Sequence, residues 1–136
     1  LLAGMAPANA RLGGVHGMAH PLGYRYHIPH GTICGLLLPY VMKYNLAYAT
    51  VKYARVAALL GVDTRGMTEE EAASKSVDAV EGILGAMAIP RQLAPLGVVE
   101  DDFEAIIAES LPSGSLKHNP RPLGGEDVRR LLAKAL

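Results

Sequence analysis

An all-α helical bundle is the fold class that this sequence predicts, on three observations. Apolar residues recur at helical spacing in one segment after another. No stretch alternates apolar and polar residues for long enough to make a strand. Helix-starting and helix-ending residues fall at the borders of those segments. The 136 residues suit a single domain with a real core.

The elements follow in order. Leu1-Leu2-Ala3 through Ala10 opens in the middle of an apolar pattern. Ala8-Asn9-Ala10 imitates a small-x-small cleavage site, but a basic leader is missing and the apolar run is short for a signal peptide. A broken-off helix is the better reading. The run Thr32 to Met42 is eleven residues long and interrupted by Pro39, too short to span a bilayer. Residues 49–60 place Tyr53, Val56, Ala57 and Leu60 on one face, and Gly61 follows as a C-cap. Thr68-Glu69-Glu70-Glu71 is a capping box, opening a helix with the stripe Val77, Val80, Leu84 and Met87 that ends before Pro90. Phe103, Ile106, Ile107 and Leu111 repeat the pattern at 99–111. Val128, Leu131, Leu132 and Leu136 repeat it at the end, with Glu126 and Asp127 in the first turn and Lys134 in the last, as the helix dipole prefers.

Composition narrows the function classes. Thirteen basic and thirteen acidic side chains cancel, which argues against a nucleic acid partner. Charged residues are 19% and hydrophobic ones 50%. So apolar a small domain is expected to hide one face against missing sequence or a second subunit, as in a homo-oligomer. A single Cys builds no disulfide framework and favours a reducing cytoplasm. No membrane segment and no βαβ unit with a glycine-rich phosphate loop is recognised, so the chain by itself is not expected to hold a dinucleotide in the usual way.

The functional signal lies at 12–45, where four of the five histidines fall within fifteen positions among many Gly and Pro. On a helix, His16 and His20 stand at i and i+4, with both rings on one face. They can approach one cation together, or one can bind while the other carries a proton. His30 returns after a Gly/Pro-containing turn, where a new helix begins. Zinc and ferrous iron accept neutral imidazole readily. Residues 1–62 contain neither Asp nor Glu, so further ligands must come from elsewhere. The zinc-protease motif is excluded, because Gly17 stands where it needs a general-base Glu. The plain structural alternative is a set of hydrogen-bonded core histidines. His27 and His118 read as surface or supporting residues, and Cys34 as a small buried apolar side chain.

The string His16-Gly-Met-Ala-His20-Pro-Leu-Gly, then Ile28-Pro-His30-Gly31 and Leu36-Leu-Leu-Pro-Tyr-Val-Met, resembles the signature of iron-containing (group III) alcohol dehydrogenases. Ala8-Asn9-Ala10-Arg11-Leu12-Gly13 is similar to the family segment before that signature. Asn119-Pro120-Arg121-Pro122 resembles the loop before its last helix. The resemblance covers essentially all of residues 1–136 and implies the family's C-terminal helical domain, of dehydroquinate synthase-like architecture.

By this resemblance, a divalent metal, Fe2+ or Zn2+, is held by His16 and His30 together with an upstream Asp and His. His20 is implied to be the neighbouring proton relay, and Ser115 is placed near the substrate channel. The implied reaction is NAD(P)-linked interconversion of a small alcohol and its aldehyde or ketone. The N-terminal Rossmann-like nucleotide-binding domain and the upstream ligands are absent from the sequence, which implies a truncated domain that is inactive alone. Pro7 departs from the pattern and is expected to kink the opening helix or mark an altered start. The alternatives are a free-standing, non-catalytic helical module that binds metal or a partner, and a metal-free relative of the maleylacetate-reductase type.

Overall fold

The computed structural model describes Met5, Ala8 and residues 12–136, and every regular element among them is helical. In chain order these are α1 (Gly14–Tyr26), α2 (His30–Asn45), α3 (Thr50–Leu59), α4 (Glu69–Ala86), α5 (Phe103–Ser110), α6 (Gly114–Lys117) and α7 (Gly125–Ala135). Short 3-10 turns stand at Leu46–Tyr48, Ala94–Leu96 and Glu100–Asp102. Met5 and Ala8 are helical. The expected kink at Pro7 and the segment Asn9–Arg11 lie outside the described residues.

One core joins five of these helices. Met18, Ala19 and Leu22 of α1 and Ile33, Leu36 and Leu37 of α2 meet Phe103 and Ile106 of α5, Leu116 of α6, and Val128 and Leu132 of α7. Leu93 and Val98 close it from the loop after α4. That loop also serves α7, since the N–H of Leu93 donates to the carbonyl of Ala135 at 2.7 Å. A carbonyl at a helix end, which has no partner within its own helix, is satisfied in this way. The hairpin α3–α4 is separate. It packs through small residues, Ala57, Ala72, Ala73 and Ser76, and leans on α2.

The helix ends follow the local signals. Gly61 has φ +85°; its N–H bonds Ala58 and that of Val62 bonds Ala57, the paired bonds of a Schellman ending. Thr68 and Glu71 exchange both capping-box bonds, at 2.8 and 3.2 Å. The N–H of Gly124 donates to the Asp127 carboxylate at 3.0 Å.

Three expected core positions are exposed instead: Leu60 by 40%, Met87 by 64% and Leu111 by 38%. Each is the residue just past its helix, because α3 stops at Leu59, α4 at Ala86 and α5 at Ser110. The periodic stripe runs one step beyond the point where the chain turns away. Tyr24 and Leu59 are more exposed still, at 82% and 85%. No helix among the described residues is long and apolar enough to cross a membrane.

Candidate metal centre

Helix α1 starts where glycines permit close approach. A Cβ on Gly17 would lie 2.8 Å from the Cβ of Leu116, and one on Gly14 would lie 2.5 Å from Leu123 Cδ1. The bare backbone therefore lets α1 lie directly on α6 and its following loop. The N–H of Gly14, free at a helix start, donates to Asn119 Oδ1 at 3.1 Å. Asn119 in turn pairs with Asn45 at the end of α2, so one buried amide cluster ties together both helices that carry the histidines.

At the other end of α1 the chain reverses through His27, held in the left-handed region at φ 52°. Pro29 then caps α2, its carbonyl accepting the N–H groups of Thr32 and Ile33. His30 is thereby the first residue of α2. Cys34 follows one turn later on the same face.

This arrangement brings His16 and His30 together, with ring centroids 5.1 Å apart and planes at 57°. The His20 ring meets His30 edge-on, 5.4 Å away. One donor atom each from His16, His30 and Cys34 lies within 4.8 Å of the others. Within that group, Cys34 Sγ is 3.3 Å from His30 Nε2. His20 and His30 are exposed and His16 is half-buried, so the cluster opens on the surface. Burial first, then the neighbouring His30 and His20, hold the His16 pKa below its ordinary value. That leaves a neutral ring with a free lone pair at neutral pH. Burial pushes the Cys34 thiol up. No carboxylate belongs to the donor group.

Sequence spacing and structure differ in two respects. The i, i+4 arithmetic pairs His16 with His20, yet the donors that converge with His16 are His30 and Cys34, because the His27–Pro29 turn folds α2 back onto α1. Cys34, expected as a buried apolar side chain, is half-buried and within hydrogen-bond reach of His30. The available signal was its own i, i+4 spacing from His30. Ser115 sits half-buried on α6, where its carbonyl accepts the His118 N–H, and its hydroxyl bonds none of the described residues. His27 and His118 are exposed, and His118 Nδ1 pairs with the Gly114 carbonyl at 2.7 Å.

The helical domain thus presents a His16, His30 and Cys34 donor group that could hold a metal ion, with the His20 ring beside it. The chain belongs to the Fe-containing alcohol dehydrogenase family, whose C-terminal family model matches residues 1–136. It is 41% identical over 130 residues to lactaldehyde reductase of Escherichia coli (strain K12), covering 96% of this chain and 34% of that protein. It is 39% identical over 135 residues to 1,3-propanediol dehydrogenase of Klebsiella pneumoniae, covering 99% and 35%. The crystal structure of a 1,3-propanediol oxidoreductase superposes with a TM-score of 0.96 at 39% identity, covering 100% of this chain and 36% of that one. The chain thus spans about a third of the length of the curated relatives it matches.

Proposed function

We propose that this chain supplies the metal-carrying half of the active site of an NAD(P)-linked alcohol dehydrogenase. The reaction interconverts a small alcohol and its aldehyde or ketone. The observation that carries this reading is the convergence of His16 and His30 donors, with the His20 ring beside them.

The donor set fits a borderline divalent ion such as Fe2+ or Zn2+, since imidazole nitrogen suits both. His16 and His30 would hold it from this side, and by the family resemblance an Asp and a His from upstream sequence would complete the oxygen and nitrogen set. When bound, the metal supplies Lewis-acid polarisation of the substrate oxygen, and the nicotinamide supplies the hydride exchange. His20, exposed next to His30, moves the hydroxyl proton between substrate and solvent. The described residues contain no strand leading into a glycine-rich phosphate turn, so they do not fit the nucleotide, which is assigned to an upstream Rossmann-like domain. Relatives named for lactaldehyde and 1,3-propanediol support a short, hydroxylated substrate.

The test is metal analysis beside turnover on a panel of short alcohols with NAD and NADP, using protein expressed from its complete reading frame. His16→Ala and His30→Ala should each lose the metal and the activity. Full metal content and turnover in both variants would overturn the reading.

A further inference from the structure

We propose that the cleft between the end of α2 and α7 binds a small phosphorylated ligand, held by Lys43, Arg121, Arg130 and Lys134. It is independent of the histidine cluster. His30 opens α2 and Lys43 stands in its last turn, about 20 Å further along the helix axis.

Three segments converge to make the cleft. The last turns of α2 place Tyr40, Lys43 and Tyr44 at i, i+3 and i+4, on one face. Arg130 and Lys134 stand at i and i+4 on α7, above the buried Leu131. Arg121 comes from the loop before α7. Together they line a cavity of about 260 Å³. Sites for drug-sized molecules run to about 300–1,000 Å³, so this one suits a small ligand.

The charges in it do not balance. Lys43 Nζ donates to Glu81 at 2.6 Å, and Arg130 donates to Asp127 at 2.7 Å. Arg121 and Lys134 have no carboxylate partner among the described residues, which leaves two positive charges in excess. Like charges at i and i+4, as at Arg130 and Lys134, weaken a helix. A bound anion removes that repulsion, and a cleft lined by one sign of charge concentrates anions.

Arg121 is already oriented. Its guanidinium carbon lies 4.1 Å from the centroid of the Tyr44 ring, and such stacking fixes the plane of the fork while leaving N–H groups to donate. Its side chain makes one hydrogen bond among the described residues, a long one of 3.5 Å to the Tyr44 carbonyl. The Tyr40 and Tyr44 hydroxyls donate to the carbonyls of Arg91 and Pro122, and both carboxylates are engaged. The cleft therefore offers cationic donors and asks for acceptors. A phosphate monoester brings acceptor oxygens and about −1.5 to −2 charges at neutral pH, which matches the excess. A single carboxylate leaves part of that excess uncompensated. Arginine takes phosphate oxygens in pairs, and lysine acts as a point charge.

The competing account is a solvated basic surface that attracts every anion alike. The experiment is calorimetric titration of the protein, expressed from its complete reading frame, with inorganic phosphate at fixed ionic strength. The unaltered protein should show a phosphate-binding component that acetate at equal concentration does not displace. In Lys134→Gln and in Arg121→Gln that component should weaken by about tenfold or more, the weight of one charge-assisted hydrogen bond. Lys117→Gln, which removes an equal charge from an exposed position on α6, should leave it unchanged. Phosphate held at an upstream nucleotide site or at the metal is insensitive to all three substitutions. Far-ultraviolet circular dichroism checks folding, and the exposed Lys134 tests the cleft without disturbing the Arg121 stack. Absence of phosphate binding in the unaltered protein would overturn the proposal. Equal affinity in Lys134→Gln, equal loss in Lys117→Gln, or full displacement by acetate would each do the same.

Discussion

Asn45 and Asn119, 74 residues apart, exchange side-chain amides: each Nδ2 donates to the other's Oδ1, at 3.1 and 2.7 Å. Asn119 also accepts from the Gly14 N–H and donates to the Arg121 carbonyl. Both side chains are buried, and no buried side-chain N or O among the described residues lacks a partner. The pair joins the start of α1 to the end of α2, the two helices that carry the clustered histidines.

Removing one member should strand the other. Asn119→Ala leaves the Asn45 Nδ2 and the Gly14 N–H without their acceptor in a buried setting, at about 1–3 kcal/mol for each uncompensated group, while the Arg121 N–H still donates to Asn45 Oδ1. Chemical denaturation should show a lowered midpoint with an unchanged slope. A midpoint within error of the unaltered protein would show that the clasp contributes nothing.

Two glycine substitutions should have opposite signs. Gly17→Ala drives a methyl to 2.8 Å from the Leu116 Cβ and 3.1 Å from its Cα, so the helices must part. The expected loss is about 1–3 kcal/mol. Gly82→Ala, in the exposed interior of α4 with nothing within 4 Å, should stabilise by about 0.5–1 kcal/mol through helix propensity. Thermal unfolding of both variants tests the contrast.

The Asp127 carboxylate gives a pH signature. Its bond from the Gly124 N–H, first among several causes, holds its pKa below the usual carboxylate value in the folded protein. The folded-state value is the lower one, so the stabilisation is complete above the unfolded value and is lost as pH falls through the folded one. Asp127→Ala should therefore cost about 1 kcal/mol at neutral pH. The gap between variant and parent should close under acid conditions. A gap that stays constant down to pH of about 2 would contradict this.

The histidines should separate by role. His16→Ala and His30→Ala are expected to lose bound metal. His20→Ala should keep it and lose turnover by about 10²–10⁴-fold, the usual weight of a positioned proton carrier. Elemental analysis and steady-state rates measured on the same preparations decide this, and metal loss in His20→Ala would make that residue a ligand instead.

Much of this protein is written in local sequence. The helices, the Gly61 ending, the Thr68–Glu71 box and the acidic first turn of α7 depend on residues within five positions of one another. Short-range hydrogen bonds and side-chain period decide such features, so they are legible without a fold. The cluster of histidines was equally visible, as was its lack of nearby acids. Local spacing left open which of the histidines meet, and only the family resemblance paired His16 with His30. His16 lies beside His30 and Cys34 because α2 folds back over α1, and Asn119 finds Asn45 and Gly14 from the far end of the chain. Those contacts join segments whose separation the chain's local preferences do not specify. Packing of α1 onto α6 through Gly17, and closure of one apolar core, bring them together. The sequence by itself determined the helices and the stock of donor side chains, whereas the tertiary structure decided which of those donors face one point in space.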